Sequence, residues 1–181
     1  MLTHAGVTNV ESHQFNSDFF SKLRNIYYAE NYCLHRIPGL VNKIPRNELW
    51  RLLDNHLPVM AERKKRLEII FKEVNVKVGG TVCNNFKKLI GKAGTTIYHS
   101  NIKASENLCD LISTLLEISI YRSYIYYHLG QTIEKLEKPV INAALKKCLI
   151  EEDNFFHSLL RVKTLLSAVE LNANFTSLEP V

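Results

Sequence analysis

Apolar residues recur at intervals of three and four along most of this chain, the spacing that places them on one face of an α-helix. Only 7 glycines and 5 prolines interrupt the 181 residues, so the chain has few places to turn. The pattern predicts four long helices, of which the third is apolar almost all round and is expected to lie deep in the core. The helices are predicted to span Ser17 to Pro38-Gly39, with a kinked continuation to Ile44, then Pro45 to Val74, Ser105 to Gly130, and Pro139 to Val169.

The segment between the second and third helices, from Asn75 to Ala104, is less regular. It contains four glycines and one short amphipathic stretch, from Asn84 to Lys92, which predicts an additional short helix. A connection of this length can cross the end of a bundle, as it does in ferritin-like folds. We therefore expect an all-α, ferritin-like four-helix bundle over residues 17–170, with a long crossover containing a short extra helix. Residues 1–16 and 171–181 are expected to be flexible termini.

Four positions on the apolar faces of these helices carry an ionisable group. Glu30 lies on that face of the first helix, and His56 lies on that of the second. Glu117 is surrounded in the sequence by leucine, isoleucine and tyrosine, so we expect it to be buried as well. On the last helix Glu152 shares a side with phenylalanine and leucine, whereas Glu151 shares one with polar residues. Glu152 is therefore the better candidate for an inward carboxylate.

A buried ionisable group needs a partner, and two kinds of partner fit these groups. One such group from each of four helices is the arrangement by which bundle proteins bind one or two metal ions, and oxygen and imidazole ligands suit iron, manganese or zinc. Alternatively, each group is hydrogen-bonded to a tyrosine hydroxyl or to an arginine such as Arg122. Each group taken alone fits the hydrogen-bonded interpretation better. The four groups taken together fit a metal site and hydrogen bonding equally well.

Two further features of the second helix bear on this region. Pro58 lies two residues after His56 and predicts a kink, because proline lacks the amide hydrogen that a helix interior requires and clashes with the preceding turn. The run from Arg63 to Arg66 is the densest basic cluster of the chain. No interleaved aromatic residues accompany it, so we interpret it as a solvated helix surface rather than a nucleic-acid interface.

Composition narrows the classes of function. Hydrophobic residues make up 46% of the chain and the formal net charge is +5, values that are ordinary for a globular protein. No apolar run reaches the roughly 18 residues of a membrane span and no secretory signal is recognisable, so we expect a cytoplasmic protein with reduced cysteines. The sequence contains no phosphate-binding loop and no nucleophile elbow, and it gives no sign of common enzyme chemistry.

Several stretches of the sequence resemble a known family. They are LRNIYYAENYCLHRIPGLVNK from Leu23 to Lys43, NHL with RLEIIFKEV, VCNNFKKLIGKAG, and EISIYRSY and LIEEDNFF in the last two long helices. In this order, between about Phe19 and Lys163, they resemble the bacterial ferritin-like family typified by the stress-associated proteins YciE and YciF. The resemblance implies a ferritin-like bundle that forms a homodimer. It also implies candidate metal ligands at Glu30, His56, Glu117 and the Glu151-Glu152 pair.

The chain departs from that family close to the implied ligands. After the histidine of the second helix the family continues with two glutamates, where this chain has Pro58 and Val59. Ile120 stands in place of a carboxylate three residues after Glu117. Too few ligands then remain for a di-iron centre, which commonly uses about six. We therefore expect a stress-related ferritin-like protein with a degenerate metal site and a structural or interaction role. The alternative is a metal-binding or oxidase-like protein, with one iron, manganese or zinc ion or a di-iron centre.

Overall fold

The computed structural model describes residues 15–99 and 105–176, and within these ranges the side chains of residues 15–95 and 107–168. This part of the chain contains five α-helices and no strands, so the four long helices and the short crossover helix predicted from the sequence are confirmed. The helices are α1 (Ser17–Val41), α2 (Glu48–Glu73), α3 (Asn84–His99), α4 (Ser105–Glu134) and α5 (Pro139–Thr176). The last helix continues beyond its expected end near Val169. The flexible termini stay a prediction, since residues 1–14 and 177–181 lie outside the described ranges.

Asparagine side chains determine where the first two helices begin. The Oδ1 atom of Asn16 accepts a hydrogen bond from the amide of Phe19 at 2.8 Å, and that of Asn47 accepts one from the amide of Trp50 at 3.0 Å. Each of these bonds satisfies an amide that has no carbonyl partner inside the helix. Helix α2 continues through Pro58 without a break, while the predicted kink at that residue stays a prediction.

The four long helices pack in the cyclic order α1, α2, α5, α4, and each of them contacts its two neighbours in this order. Helices α2 and α4 therefore lie on one diagonal of the bundle. The crossover joins them, and its helix α3 packs against α4 and α1. This is the crossover topology expected from the length of the connection, and its buried interior is where side chains from all four long helices can meet.

Helix α4 differs from the expectation that it is buried on all sides. Ile120, Tyr124 and Tyr127 lie at spacings of four and three on one face, and their exposed fractions are 57%, 57% and 51%. The remaining faces of the helix pack against α1, α3 and α5. A helix that is apolar all round can therefore carry an exposed apolar face, because hydrophobicity alone does not say which face meets the core.

The first part of the crossover lies directly on the backbone of α1. The amide of Thr81 donates to the carbonyl oxygen of Arg24 at 3.3 Å, and Nη1 of Arg24 donates to the carbonyl oxygen of Gly79 at 3.3 Å. A Cβ atom at Gly80 would lie 2.8 Å from the Cβ of Tyr28 and 2.9 Å from its Cα. Glycine at this position is what allows the crossover to approach α1 so closely.

We predict that Gly80→Ala lowers the free energy of unfolding by about 1–3 kcal/mol, because the added methyl group overlaps the Tyr28 backbone. Gly79→Ala is the matched control, since its Cβ would meet only the end of the Arg24 side chain, at 3.5 Å. Urea denaturation measures both variants. Equal losses of stability in the two variants would contradict this explanation.

Candidate functional site

Four charged side chains, one from each long helix, meet in the interior of the bundle. Glu30 of α1, Arg63 of α2, Arg122 of α4 and Glu152 of α5 all have an exposed fraction of 0%. We refer to these four residues as the charge cluster. Its two positive and two negative charges cancel, and this balance is what makes their burial possible, because an unpaired buried charge costs several kcal/mol.

Glu152 makes the most complete set of contacts in the charge cluster. Its Oε2 atom accepts a hydrogen bond from Nη1 of Arg63. Its Oε1 atom accepts one from Nη2 of Arg122 at 2.8 Å and one from the hydroxyl of Ser119 at 2.5 Å. Burial acts to raise the pKa of Glu152, but the positive charges of Arg122 and Arg63, together with these hydrogen bonds, hold it below its usual value of 4.5.

Glu30 is held more by charge than by hydrogen bonds. The hydroxyl of Tyr126 donates to its Oε1 atom at 2.8 Å, and Nε of Arg63 lies 3.3 Å from the same atom. Its Oε2 atom lies 3.6 Å from Nη1 of Arg122, and neither of those two atoms has a hydrogen-bond partner among the described residues. Burial, followed by the charge of Glu30, holds the pKa of Tyr126 well above 10, so its hydroxyl remains a donor.

His56 lies at the edge of the charge cluster as a neutral ring. It stacks on Phe155 with ring centroids 3.7 Å apart and planes inclined by 11°, and its Nε2 atom lies 2.9 Å from Nη2 of Arg63. A guanidinium group only donates, so Nε2 accepts this bond with the lone pair that a metal ion would require. Burial, reinforced by the charges of Arg63 and Arg122, lowers the pKa of His56 far below 6.5.

The structure brings together three of the five candidate residues named from the sequence. Glu30, His56 and Glu152 are buried, as their positions on the helix faces predict, and all three contact Arg63. Their role as metal ligands is a separate matter that burial does not test.

The expectation that Glu117 is buried is wrong. Its side chain is 45% exposed and accepts a hydrogen bond from Nζ of Lys92 at 3.0 Å. Glu117 lies three residues before Ile120 and seven before Tyr124, which places it on the exposed face of α4. Its apolar neighbours in the sequence indicated burial because that exposed face is itself apolar.

The interpretation of the basic run as a solvated surface is wrong at Arg63, which is fully buried. Arg66, at the end of the same run, is 15% exposed and pairs with the remaining candidate, Glu151, whose side chain is 20% exposed. A signal for Arg63 is present in the sequence, because it lies seven residues after His56 and four before Leu67, on the buried face of α2. The density of positive charge around it concealed this spacing.

Arg122 is an example of the arginine partner that one of the two sequence interpretations requires, and in the structure it donates a hydrogen bond to Glu152. It lies three residues after Ser119 and four before Tyr126, and all three side chains are buried. Both Ser119 and Tyr126 donate to carboxylates of the charge cluster. The buried side of α4, which is otherwise mostly apolar, therefore carries a short polar stripe of Ser119, Arg122 and Tyr126 directed at the carboxylates.

The donor set of this site does not fit a metal ion in the observed arrangement. Within the described residues, no group of three or more histidine, cysteine, aspartate or glutamate side chains is placed to hold one. The guanidinium groups of Arg63 and Arg122 lie between Glu30 and Glu152, and they carry positive charge and no lone pair. The carboxylates are thus already neutralised by the protein itself.

Two solved structures and one family model resemble this chain. The E. coli stress protein YciF matches with a TM-score of 0.78 and 20% sequence identity, over 89% of this chain and 99% of that one. The protein YcfI from Rhodopseudomonas palustris matches with a TM-score of 0.72 and 25% identity, over 78% of this chain and 89% of that one. The family model, described as "Domain of unknown function (DUF892)", matches residues 14–168. A comparison with curated proteins finds no match.

These comparisons confirm the resemblance to the family of YciF that the sequence motifs indicated, and they confirm the all-α fold. Among the described helices, none combines the length and the apolar character required to cross a membrane.

We predict that Arg63→Met lowers the free energy of unfolding by about 3–5 kcal/mol, because Glu30 and Glu152 then share one buried cation instead of two. Arg66→Met is the matched control, since Arg66 lies on the same helix and pairs with Glu151 at a partly exposed position. Its loss should be about 1 kcal/mol or less. Chemical denaturation measures both variants, and a loss at Arg66 as large as that at Arg63 would argue against the charge cluster as the cause.

We also predict that stability depends on pH through His56. Below pH 6.5 the unfolded chain gains a proton on this residue, whereas the folded chain does not, since its pKa there is far lower. Lowering the pH destabilises the fold wherever the unfolded state binds more protons than the folded state. The free energy of unfolding should therefore decrease from pH 6.5 to about pH 5, and His56 should contribute up to about 1.4 kcal/mol per pH unit. His56→Gln, which keeps an acceptor for Arg63, should reduce this slope by that amount. An unchanged slope in urea denaturation across this range would refute the assignment.

Proposed function

Since the chain belongs to the DUF892 family, we propose that it is a stress-related, ferritin-like protein with a structural or interaction role, in which ion pairs have replaced a metal site. The observation that carries this proposal is the location of Arg63 and Arg122 between Glu30 and Glu152. The family description names no activity, so the argument rests on the chemistry of these residues.

Positive charge is what a ferritin-like bundle needs among its inward carboxylates, and a metal ion usually supplies it. In this chain the two guanidinium groups supply it instead, and the cluster is electrically complete without a metal. Redox or hydrolytic chemistry at a metal also requires an open coordination position. Arg63 lies against Glu30, His56 and Glu152 at once, so any metal ion would have to displace a fully buried side chain. This favours the degenerate site over the alternative of a metal-binding or oxidase-like protein.

The proposed physiological role draws on the relatives. YciF is described as a stress protein, and YcfI as "a putative structural protein". A structural role agrees with the interior of this bundle, because its buried charges pair with one another. A cytoplasmic location, as expected from the sequence, belongs to the same proposal.

The interaction role is assigned to an exposed apolar face on α4 and α5, formed by Ile120, Tyr124, Tyr127, Leu149 and Phe156. These residues border a groove of about 430 Å³. Ser123 and Asp153 also line it, and the hydroxyl of Ser123 donates a hydrogen bond of 3.3 Å to Asp153. Contiguous apolar patches are uncommon on monomeric proteins and often mark contact surfaces. A second copy of the chain, related by a two-fold axis, would cover this face on both copies at once. The partner in this proposal is therefore a homodimer mate.

We predict that the protein, expressed with iron or manganese available and purified without chelator, holds no stoichiometric metal. Elemental analysis by mass spectrometry measures the content per chain. Glu30→Ala should leave that content unchanged, as should the control Glu117→Ala at an exposed position. One or two equivalents of bound metal, lost in Glu30→Ala and kept in Glu117→Ala, would overturn the degenerate site and favour the metal-binding alternative.

We predict that Tyr124→Lys converts the dimer into a monomer, because the lysine places an unpaired charge in the centre of the apolar face. Val82→Lys is the control, since Val82 is 54% exposed in the crossover and does not border the groove. Sedimentation equilibrium gives the mass of each variant. A monomeric wild-type protein, or a dimer that persists in Tyr124→Lys, would contradict the proposed interface.

A further inference from the structure

A second cavity, of about 390 Å³, lies between α1 and α3 and does not include any residue of the charge cluster. Its volume is in the range of small-molecule sites. Three of the residues that line it are glycines inside helices, Gly39 on α1 and Gly91 and Gly94 on α3. Neither the proposed metal replacement nor the proposed dimer uses this region.

The three glycines have no packing explanation within the described residues. A glycine inside a helix costs about 0.5–1 kcal/mol relative to alanine. Close approach of another group often explains such a glycine, as it does at Gly80, but a Cβ atom at Gly39, Gly91 or Gly94 would meet nothing within 4 Å. The effect that the three share is to leave three positions of the cavity wall without a side chain.

Arg36 gives the lining of this cavity a positive charge. Arg36 places its guanidinium group over the ring of Tyr32, 5.4 Å from the centroid, and makes no ion pair among the described residues. The Nδ1 atom of His35 donates to the carbonyl oxygen of Asn31 at 2.6 Å, which leaves Nε2 for another partner. No aspartate or glutamate lines the cavity. An anion would therefore find a positive charge there and no carboxylate to repel it.

The remaining lining favours a flat, apolar body. Leu40 and Ile90 contribute hydrocarbon, and Gly91 and Gly94 lie three residues apart, so a ring can lie directly against the surface of α3. Arg36 lies over the ring of Tyr32, and Tyr28 stacks on the same ring with centroids 5.6 Å apart, so this ring positions the guanidinium group at the cavity wall. We propose that this cavity binds a small organic anion with a planar, aromatic body, whose charged group pairs with Arg36 and whose ring packs against Leu40, Ile90 and the glycine-lined surface of α3.

The test uses two fluorescent probes of similar shape and different charge, 8-anilinonaphthalene-1-sulfonate and uncharged N-phenyl-1-naphthylamine, with the full chain. The sulfonate should bind at least about tenfold more tightly than the amine, since an ion pair with Arg36 is available to it alone. Arg36→Gln should remove this preference and leave the affinity for the amine unchanged. Equal affinities for the two probes, or a preference that survives in Arg36→Gln, would overturn the proposal.

A second pair of variants locates the bound probe. Gly91→Leu fills the cavity and should abolish binding of both probes without loss of stability, because leucine is a better helix former than glycine. Gly130→Leu is the matched control, since Gly130 also lies inside a helix, has nothing within 4 Å of its Cβ position and does not line the cavity. Wild-type affinity in Gly91→Leu would overturn the proposal, since the probe would then bind elsewhere. The proposal would also be overturned if the wild-type protein bound neither probe and the Gly91→Leu variant no longer self-associated. A second chain would then be the occupant of the cavity.

Discussion

The pairing of two arginines with two glutamates in the middle of the bundle is the interaction on which the arrangement of the helices depends. Each long helix contributes one member, so rotating or sliding any one of them would leave a charge buried without its partner. Apolar packing alone tolerates small shifts of this kind, because one leucine can replace another in a contact. The charge cluster therefore specifies the register of the four helices, while the surrounding apolar residues supply most of the free energy of folding.

Most of the fold could be predicted from the sequence, because helical spacing and the length of the crossover determine it. The site could be predicted only in part. Glu30, His56 and Glu152 stand out as single ionisable groups on otherwise apolar faces. Arg63 does not, because three other basic residues follow it directly and the run as a whole is polar. Glu117 was misplaced for the opposite reason, since its apolar neighbours lie on a face that is exposed in the single chain.

The charge cluster also shows how the carboxylates inside a ferritin-like bundle can be neutralised by the protein itself. The inward carboxylates of such a bundle repel one another and need compensating positive charge. A guanidinium group provides that charge together with several hydrogen bonds, and it cannot be deprotonated at physiological pH. Glu30 and Glu152 each pair with both arginines in this chain. His56 is a neutral acceptor for Arg63 and a stacking partner for Phe155.

The spread of the cluster along the chain has a consequence for how the protein folds. Its members lie at positions 30, 63, 122 and 152, so they come together only when helices from both ends of the chain have docked. A partly assembled bundle of three helices would contain an odd number of these charges and would bury at least one of them unpaired. Such intermediates are disfavoured. Whichever helix docks last supplies the charge that neutralises the other three. Folding of the bundle is therefore expected to be cooperative, in spite of the many local contacts that its helices make.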